Sequence, residues 1–269
     1  MVSQIKTSVI ITTYNRPKYL QRTIEGYLCQ SRLPDEIIVA DDGSTDETAI
    51  TLENIQKSTS IKIFHVWHED IGFRATHIRN RAMAYATGEY LIISDDDSIP
   101  SSTLVEDHLK FSEKGCFIQG HRALLGQTVS QDFTFKDISL MTLFYLMIKG
   151  QAGNILNAVR LPLPLIKVSQ SLKGIRSCNM SFFRKDIIAV NGFNEDFTGW
   201  GKEDSELAVR FYKYGLKRKD IKFRACCYHL YHKHYSRDNL ERNLALLEKA
   251  KSENGYFCKN GIDKYLQGL

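Results

Sequence analysis

Two hydrophobic patterns alternate along the first hundred residues. Residues 8–13 form an apolar, β-branched run, as expected of a strand buried on both faces. Pro17 then suits a first helical turn, and Leu20, Ile24, Tyr27 and Leu28 recur at helical spacing on one face. Residues 36–40, 61–66 and 90–94 read as further strands. A helix over 75–86 is expected to stop at Gly88 in the C′ place, and Asp46 to cap the helix after the second strand. Strands alternating with such helices predict βαβ units and a largely parallel sheet covered on both faces, an α/β fold.

Beyond residue 115 the periodicity weakens. Residues 116–119 and 181–183 predict two more strands, whereas 126–175 mixes an apolar run with Leu161-Pro162-Leu163-Pro164 and resists assignment. A helix is predicted from about Lys202 to Tyr214 with Gly215 behind it, and a last one carries Leu240, Leu244 and Leu247. There is no repeat and no linker rich in Gly, Ser or Pro. Residues 1–269 are therefore expected to form one domain, with a first half over 1–120, an elaborated half over 121–235 and a C-terminal helix within 236–269.

At 43% hydrophobic and 25% charged, the chain has ordinary composition for a globular domain with a sizeable core. Lys and Arg number 36 against 31 acids, a net charge of +5. That suits anionic ligands or an anionic membrane surface but is too weak to indicate nucleic acid. No signal peptide is evident and the six cysteines show no CxxC pair, so free thiols in the cytosol are expected. The longest apolar run, 138–148, is eleven residues with Ser139 and Thr142 inside it, and a bilayer span takes roughly 20. Beside Lys136, Lys149 and Arg160, its residues 140–148 fit either a buried helix or one lying at a membrane interface.

Two acidic clusters fall just past predicted strand ends, the edge where open α/β sheets bind ligands. In Asp95-Asp96-Asp97, three adjacent carboxylates repel one another unless a cation sits among them, and such oxygens suit Mg²⁺ or Mn²⁺ bridging to phosphates. A solvated turn is the alternative. Asp41-Asp42-Gly43-Ser44 is either a turn with a helix cap or a pair of acceptors for a base or ribose. Arg74 and Arg79 would cradle a diphosphate at a helix start, or stand exposed on the helix. Gly199-Trp200-Gly201-Lys202-Glu203-Asp204 places an aromatic platform ahead of two acids, which read as a general base or as charges favoured by the helix dipole. His229, His232 and His234 offer imidazoles to a metal or form a surface loop, and alternation puts His232 and His234 on one face.

Taken in order, Ser8-Val9-Ile10-Ile11-Thr12-Thr13-Tyr14-Asn15-Arg16, Asp41-Asp42-Gly43-Ser44-Thr45-Asp46, Gly72-Phe73-Arg74 with Arg79-Asn80, Asp95-Asp96-Asp97 and Cys178-Asn179-Met180-Ser181-Phe182 resemble the family 2 glycosyltransferases of the GT-A fold. Residues 199–204 resemble the acceptor-side signature of the galactosyltransferase and chondroitin-polymerase branch. The resemblance spans about residues 7–235. It implies a Rossmann-like sheet with a nucleotide-sugar-binding half (1–120) and an acceptor-binding half (121–235). The implied reaction is inverting transfer from a nucleotide-diphosphate sugar, most often a UDP-sugar, to a glycan or lipid-linked acceptor. The commonest setting is bacterial surface polysaccharide or lipopolysaccharide synthesis, in the cytoplasm or peripheral at the inner face of the cell membrane.

By position, the resemblance implies that Thr12, Tyr14, Arg16, Arg79 and Asp96 belong to the nucleotide pocket. Asp41 or Asp42 would bind uracil, with Arg74 near the base. Asp97 would be the direct ligand of Mn²⁺ or Mg²⁺, with Asp95 beside it and nearer the ribose. His229, or failing it His232, would complete the metal site. Asp204 would be the catalytic base, Glu203 would hold acceptor hydroxyls, and Trp200 and Asn179 would face the acceptor.

Three rivals are weaker. An Asp-x-Asp phosphatase places its nucleophile after the first strand, and here the triplet follows the fourth. A nucleotidyltransferase would carry a Gly-rich loop where Thr13-Tyr14-Asn15-Arg16-Pro17 stands. A non-catalytic sugar-binding module would be expected to lose Asp95, Asp97, Glu203 and Asp204, all of which are present.

Overall fold

The computed structural model describes residues 5–233 and 236–267. It opens with the predicted alternation: β1 (Thr7–Thr13), α1 (Pro17–Leu28), β2 (Glu36–Asp41), α2 (Asp46–Gln56), β3 (Lys62–Trp67), α3 (Ala75–Tyr85) and β4 (Tyr90–Asp95). These strands lie parallel in the order β3-β2-β1-β4. Strand alternation divides their apolar residues between two layers. Ile10, Ile38 and Ile93 pack with Ile78 and Met83 of α3, while Val9, Ile11, Val39 and Ile92 pack with Leu20 and Ile24 of α1.

Two local readings are corrected. The N-cap of α2 is Thr45; Asp46 is its first helical residue and, with Glu47, puts negative charge in the first turn without capping it. Gly88 is not the C′ residue of α3, which ends on extended Ala86. A Cβ on Gly88 would stand 2.5 Å from Ser8 Oγ, so glycine is needed there for the close passage along β1.

The later elements are β5 (Ser98–Pro100), α4 (Leu104–Lys110), β6 (Cys116–Gln119), β7 (His121–Leu125), α5 (Gln127–Ser130), α6 (Leu140–Ile148), β8 (Ala152–Gly153) and β9 (Leu165–Ser169). They are followed by β10 (Asn179–Phe183), α7 (Arg184–Ala189), α8 (Glu203–Tyr214), β11 (Lys217–Lys222), β12 (Cys226–His229), α9 (Leu240–Ser252) and α10 (Asp263–Leu266). β10 inserts antiparallel between β4 and β6, giving the order β3-β2-β1-β4-β10-β6-β11-β9, in which only β10 and β9 oppose the rest. The two halves read from sequence are thus interleaved in one mostly parallel sheet.

A second sheet, β5-β12-β7-β8, starts directly after the acidic triplet. Ile99, Ala123, Tyr228 and Leu230 form its core with Leu143 and Leu146 of α6. The buried-helix reading of α6 does not hold: Leu143 and Leu146 are its buried residues, and Met141 is 84% exposed. Among the described residues no helix is long and apolar enough to cross a membrane. α8 ends on Gly215 at φ 102°, a left-handed position that favours glycine. All six cysteines are unpaired.

Candidate active site at the carboxyl edge of the sheet

β1, β2 and β4 end level with one another, Thr13 opposite Asp41 and Thr12 opposite Asp95. Both acidic clusters therefore reach one edge. After Asp95 the chain turns through Asp96 and Asp97 into β5, which pairs antiparallel with β12 so that Ser98 faces His229. The Leu230 N–H donates to the Asp97 carbonyl at 2.8 Å. This pairing sets His229 beside Asp97 despite their distance in sequence.

Asp97, His229 and His232 each bring one ligand atom to a common place, all within 4.8 Å of one another. His229 Nε2 lies 3.5 Å from Asp97 Oδ1, and His232 Nε2 lies 3.3 Å from Oδ2. Burial lowers the His229 pKa to about 4 against the opposing pull of Asp97, so its ring is neutral at pH 7. His232 Nδ1 is 2.8 Å from the Lys233 carbonyl, which can only accept. With Nδ1 turned to that carbonyl, Nε2 is the ring atom that faces Asp97. One carboxylate and two imidazoles converging in this way form a donor set that fits a divalent ion. Arg16 Nη1 braces Asp97 Oδ2 at 3.1 Å. His234 lies outside the described residues.

Several of the expected ligand-facing groups are spoken for. Asp95 does not join the metal-ligand cluster: Arg79 Nη2 holds its Oδ1 at 3.0 Å. Asp96 turns inward, its Oδ2 accepting from Thr13 Oγ1 at 2.7 Å and its carbonyl from Thr23 Oγ1 at 2.6 Å. Burial and then the adjacent Asp97 charge raise its pKa well above the carboxylate range, so it anchors the turn and does not face a nucleotide. Asp41 is fully buried, with Ser44 N–H and His65 Nε2 each 2.8 Å from its oxygens. Asp42 is held by His68 Nε2 at 2.7 Å and by Arg74 N–H at 2.8 Å. His65 and His68 were missed in the sequence; their signal was their place on and just past the strand parallel to β2.

Arg79 is likewise not an open diphosphate cradle. It is buried, with Nε donating to Thr12 Oγ1 at 2.9 Å and Nη1 lying 3.9 Å from Glu203 Oε1. Burial opposes its charge, but Asp95, Asp204 and Glu203 outweigh that and raise its pKa. Thr12 supports this cation in turn. Tyr14 is 41% exposed and donates to Asp70 Oδ2 at 2.8 Å, while Arg74 Nη2 donates to the Glu69 carbonyl at 2.6 Å. Both adjoin the Asp41–Ser44 turn, where Arg74 N–H bonds Asp42 and Gly43 packs against Asp70.

On the other flank, α8 opens with the acid pair. Glu203 Oε2 accepts from Gly201 N–H and Asp204 Oδ2 from Ser177 N–H, each at 3.0 Å. Asp204 Oδ1 is buried with no hydrogen-bond partner among the described residues. Burial and then the Asp204 charge raise the Glu203 pKa to about 7, with Arg79 pulling the other way. The Trp200 ring is partly exposed, with the Arg237 guanidinium 5.6 Å from its centroid. Asn179 does not face an acceptor. Its Nδ2 donates to the His121 and Ala225 carbonyls, and its Oδ1 meets His108 Nε2, all at 2.8 Å. That amide is consumed in fastening β10 to its neighbours.

Residues 8–161 match the Glycosyl transferase family 2 pattern, and residues 159–233 match the N-terminal domain of galactosyltransferase. The validoxylamine A glucosyltransferase of Streptomyces hygroscopicus subsp. limoneus is 29% identical over 78% of this chain and 48% of its own length. The chondroitin synthase of Escherichia coli is 25% identical over 82% of this chain and 34% of its own. The chain thus spans half or less of the length of these curated relatives. Among solved structures, S. aureus TarS 1–349 aligns with a TM-score of 0.65 at 16% identity, over 91% of this chain and 65% of that one. The mannosyltransferase PcManGT from Pyrobaculum calidifontis, in complex with GDP-Man and Mn²⁺, aligns with a TM-score of 0.57 at 20% identity, over 87% and 59%. These neighbours share the GT-A fold. Since the family pattern covers more than half of a chain that folds in this way, the chain belongs to the family 2 glycosyltransferases.

Proposed function

We propose that this chain moves a sugar from a UDP-sugar to a hydroxyl of a glycan or lipid-linked acceptor, with inversion at the anomeric carbon. The observation that carries the reading is the meeting, at one sheet edge, of the Asp97–His229–His232 cluster and an Asp204 whose Oδ1 is buried and unpartnered. Tyr14, Asp42 and Arg74 border the place for the base, and Asp95 that for the ribose. Asp204 takes the proton of the attacking hydroxyl as that oxygen bonds to the anomeric carbon. The bond from that carbon to the diphosphate breaks, and its electrons leave on the phosphate oxygen. Ser177 N–H keeps the other Asp204 oxygen in place. Glu203, with a pKa near neutrality, donates to and accepts from acceptor hydroxyls.

Asp97, His229 and His232 would hold Mn²⁺ or Mg²⁺, and two imidazoles favour Mn²⁺ over the oxygen-seeking Mg²⁺. When bound, such an ion supplies positive charge beside the departing diphosphate. TarS has been solved in complex with UDP, which supports a uridine donor, while PcManGT with GDP-Man makes GDP-mannose the donor to test beside it. The chondroitin synthase name suits a polysaccharide product, and the proposed setting is surface polysaccharide or lipopolysaccharide assembly.

Donor hydrolysis across uridine, guanosine and thymidine diphosphate sugars, with Mn²⁺ and with EDTA, tests the reading. UDP release from one donor is expected, abolished by EDTA and in Asp97→Ala. Silence across the panel, with no nucleotide or metal binding by calorimetry, would leave a non-catalytic binding module as the better account.

α6 extends the proposal to a peripheral contact with an anionic bilayer. Leu140, Met141, Phe144, Tyr145, Met147 and Ile148 are exposed. Residues 138–185 contain no Asp or Glu, yet include Lys149, Lys167 and Lys173. Exposed apolar side chains ending on Lys149 at the helix C-terminus match the headgroup boundary of acidic lipid. Flotation with phosphatidylglycerol vesicles should carry the protein, and pure phosphatidylcholine should not. A Met141→Glu/Ile148→Glu variant should stay behind. Wild type unbound to both vesicles, or sedimenting as a dimer that this variant dissolves, would refute the contact.

A further inference from the structure

Beside the acid pair lies a pocket of about 160 Å³ that the proposed transfer leaves unused. Arg122 of β7, Arg176 ahead of β10 and Arg218 of β11 line it, together with Gln119, His121 and Asn157. No carboxylate is among the described residues of its wall. Arg218 is compensated: it pairs with Asp220 at 2.5 Å and donates to the Ser171 and Lys173 carbonyls. The other two arginines are not. The Arg122 guanidinium reaches Cys178 Sγ at 3.8 Å, a weak acceptor. The Arg176 guanidinium has no hydrogen bond or ion pair among the described residues.

Burial lowers the Arg176 pKa, and Arg122 and Arg218 push the same way against Cys178 and Asp204. Like charges share one hollow, and what the hollow lacks is an anion. His121 Nε2 and Arg218 Nε, both buried and without hydrogen-bond partners among the described residues, add unsatisfied polar atoms to the lining residues. Arg176 adjoins Ser177, whose N–H holds Asp204. Arg218 lies on β11 and Arg176 just ahead of β10, both in the large sheet on the far side of β4 from β2 and β3, while Arg122 lies on β7 of the second sheet.

We propose that this pocket is an anion subsite for the acceptor: Arg122 and Arg176 grip a carboxylate or phosphate on the receiving glycan while one of its hydroxyls meets Asp204. The proposal rests on the glycosyl-transfer reading above. Guanidinium forks suit both anions through paired hydrogen bonds. A neutral glycan would leave the two cations facing each other without counter-charge, so the pocket discriminates against it.

Methyl glucuronide, methyl glucoside and inorganic phosphate are titrated into the full chain with Mn²⁺ and UDP present. At least one anionic probe should bind about tenfold or more tightly than the glucoside, and which one does separates a uronate from a phosphate. Arg176→Gln should remove that preference, and Arg176→Lys, which keeps the charge but loses the fork, should retain part of it. Equal binding of all three probes, or a preference unmoved in Arg176→Gln, overturns the proposal. An equal loss of UDP affinity in the same variant would assign these arginines to the donor diphosphate and also overturn it. UDP release by the wild type is scored separately. Its absence strikes the transfer reading, whereas its presence without an anion preference strikes this subsite alone.

Discussion

Asp204→Asn is expected to slow glycosyl transfer by about 10²–10⁴-fold, the usual worth of a positioned general base. Asparagine keeps the size of the side chain and an oxygen to accept the Ser177 N–H, so the start of α8 has no reason to move. What it loses is the capacity to take a proton at the position where Asp204 Oδ1 is buried without a partner. UDP release with acceptor present gives the rate, and UDP titration on the same variant checks that the donor side is intact. Glu203→Gln should raise KM for the acceptor more than it lowers kcat, since Glu203 is assigned to acceptor hydroxyls. A Glu203→Gln enzyme slower in kcat than Asp204→Asn would exchange the two roles. An Asp204→Asn enzyme at nearly full rate would remove the base from this position.

The largest loss of stability is expected from Arg79→Met. This buried guanidinium holds Asp95 at 3.0 Å, stands 3.9 Å from Glu203 and offsets their charges. Removing one partner of a buried pair costs about 3–5 kcal/mol, which lowers Tm by roughly 2–4 °C per kcal/mol in a chain of this size. The pH dependence follows from the Glu203 pKa, already raised to about 7 by burial and then by Asp204. Without Arg79 the carboxyls of Glu203 and Asp95 rise further above their unfolded values. A group whose folded pKa is raised stabilises below its unfolded pKa, and that stability is lost as pH climbs through the folded value. The Tm gap between variant and wild type should therefore widen from about pH 5 to about pH 8. Adding Glu203→Gln to the variant should close part of the gap at the higher pH. A gap indifferent to pH would mean that the loss comes from packing over Phe193, whose ring centroid lies 5.5 Å from the guanidinium carbon.

The first half of the fold was legible because β2 is buried throughout, β1 and β4 are buried except at Thr12 and Asp95, and α1 shows a clean apolar face. The stretch 126–175 was not, for reasons its residues make plain. β8 is two residues long, β9 is a largely exposed edge strand, and α6 is apolar nearly all round, so none displays a period. At the site, the edge position of the acids could be read from strand ends. The direction each acid points could not, because three identical neighbours turn into β5 and only the turn decides that Asp96 faces inward. Asn179 was misjudged because its partners His108, His121 and Ala225 sit on other elements. Arg122 and Arg176 carry no local signature; they meet only in three dimensions, one on β7 of the second sheet and the other just ahead of β10 of the large one.

Asp97 stands at the joint where the chain leaves one sheet after β4 and enters the other at β5. Its carboxylate comes from the first hundred residues, whereas both imidazoles that face it come from the last fifty. A fragment ending near residue 120 would own all four leading strands and still lack two of the three ligand atoms. Under the proposed metal role, a chain cut off there is expected to capture no divalent ion, and Mn²⁺ titration of such a fragment against the full chain would show it.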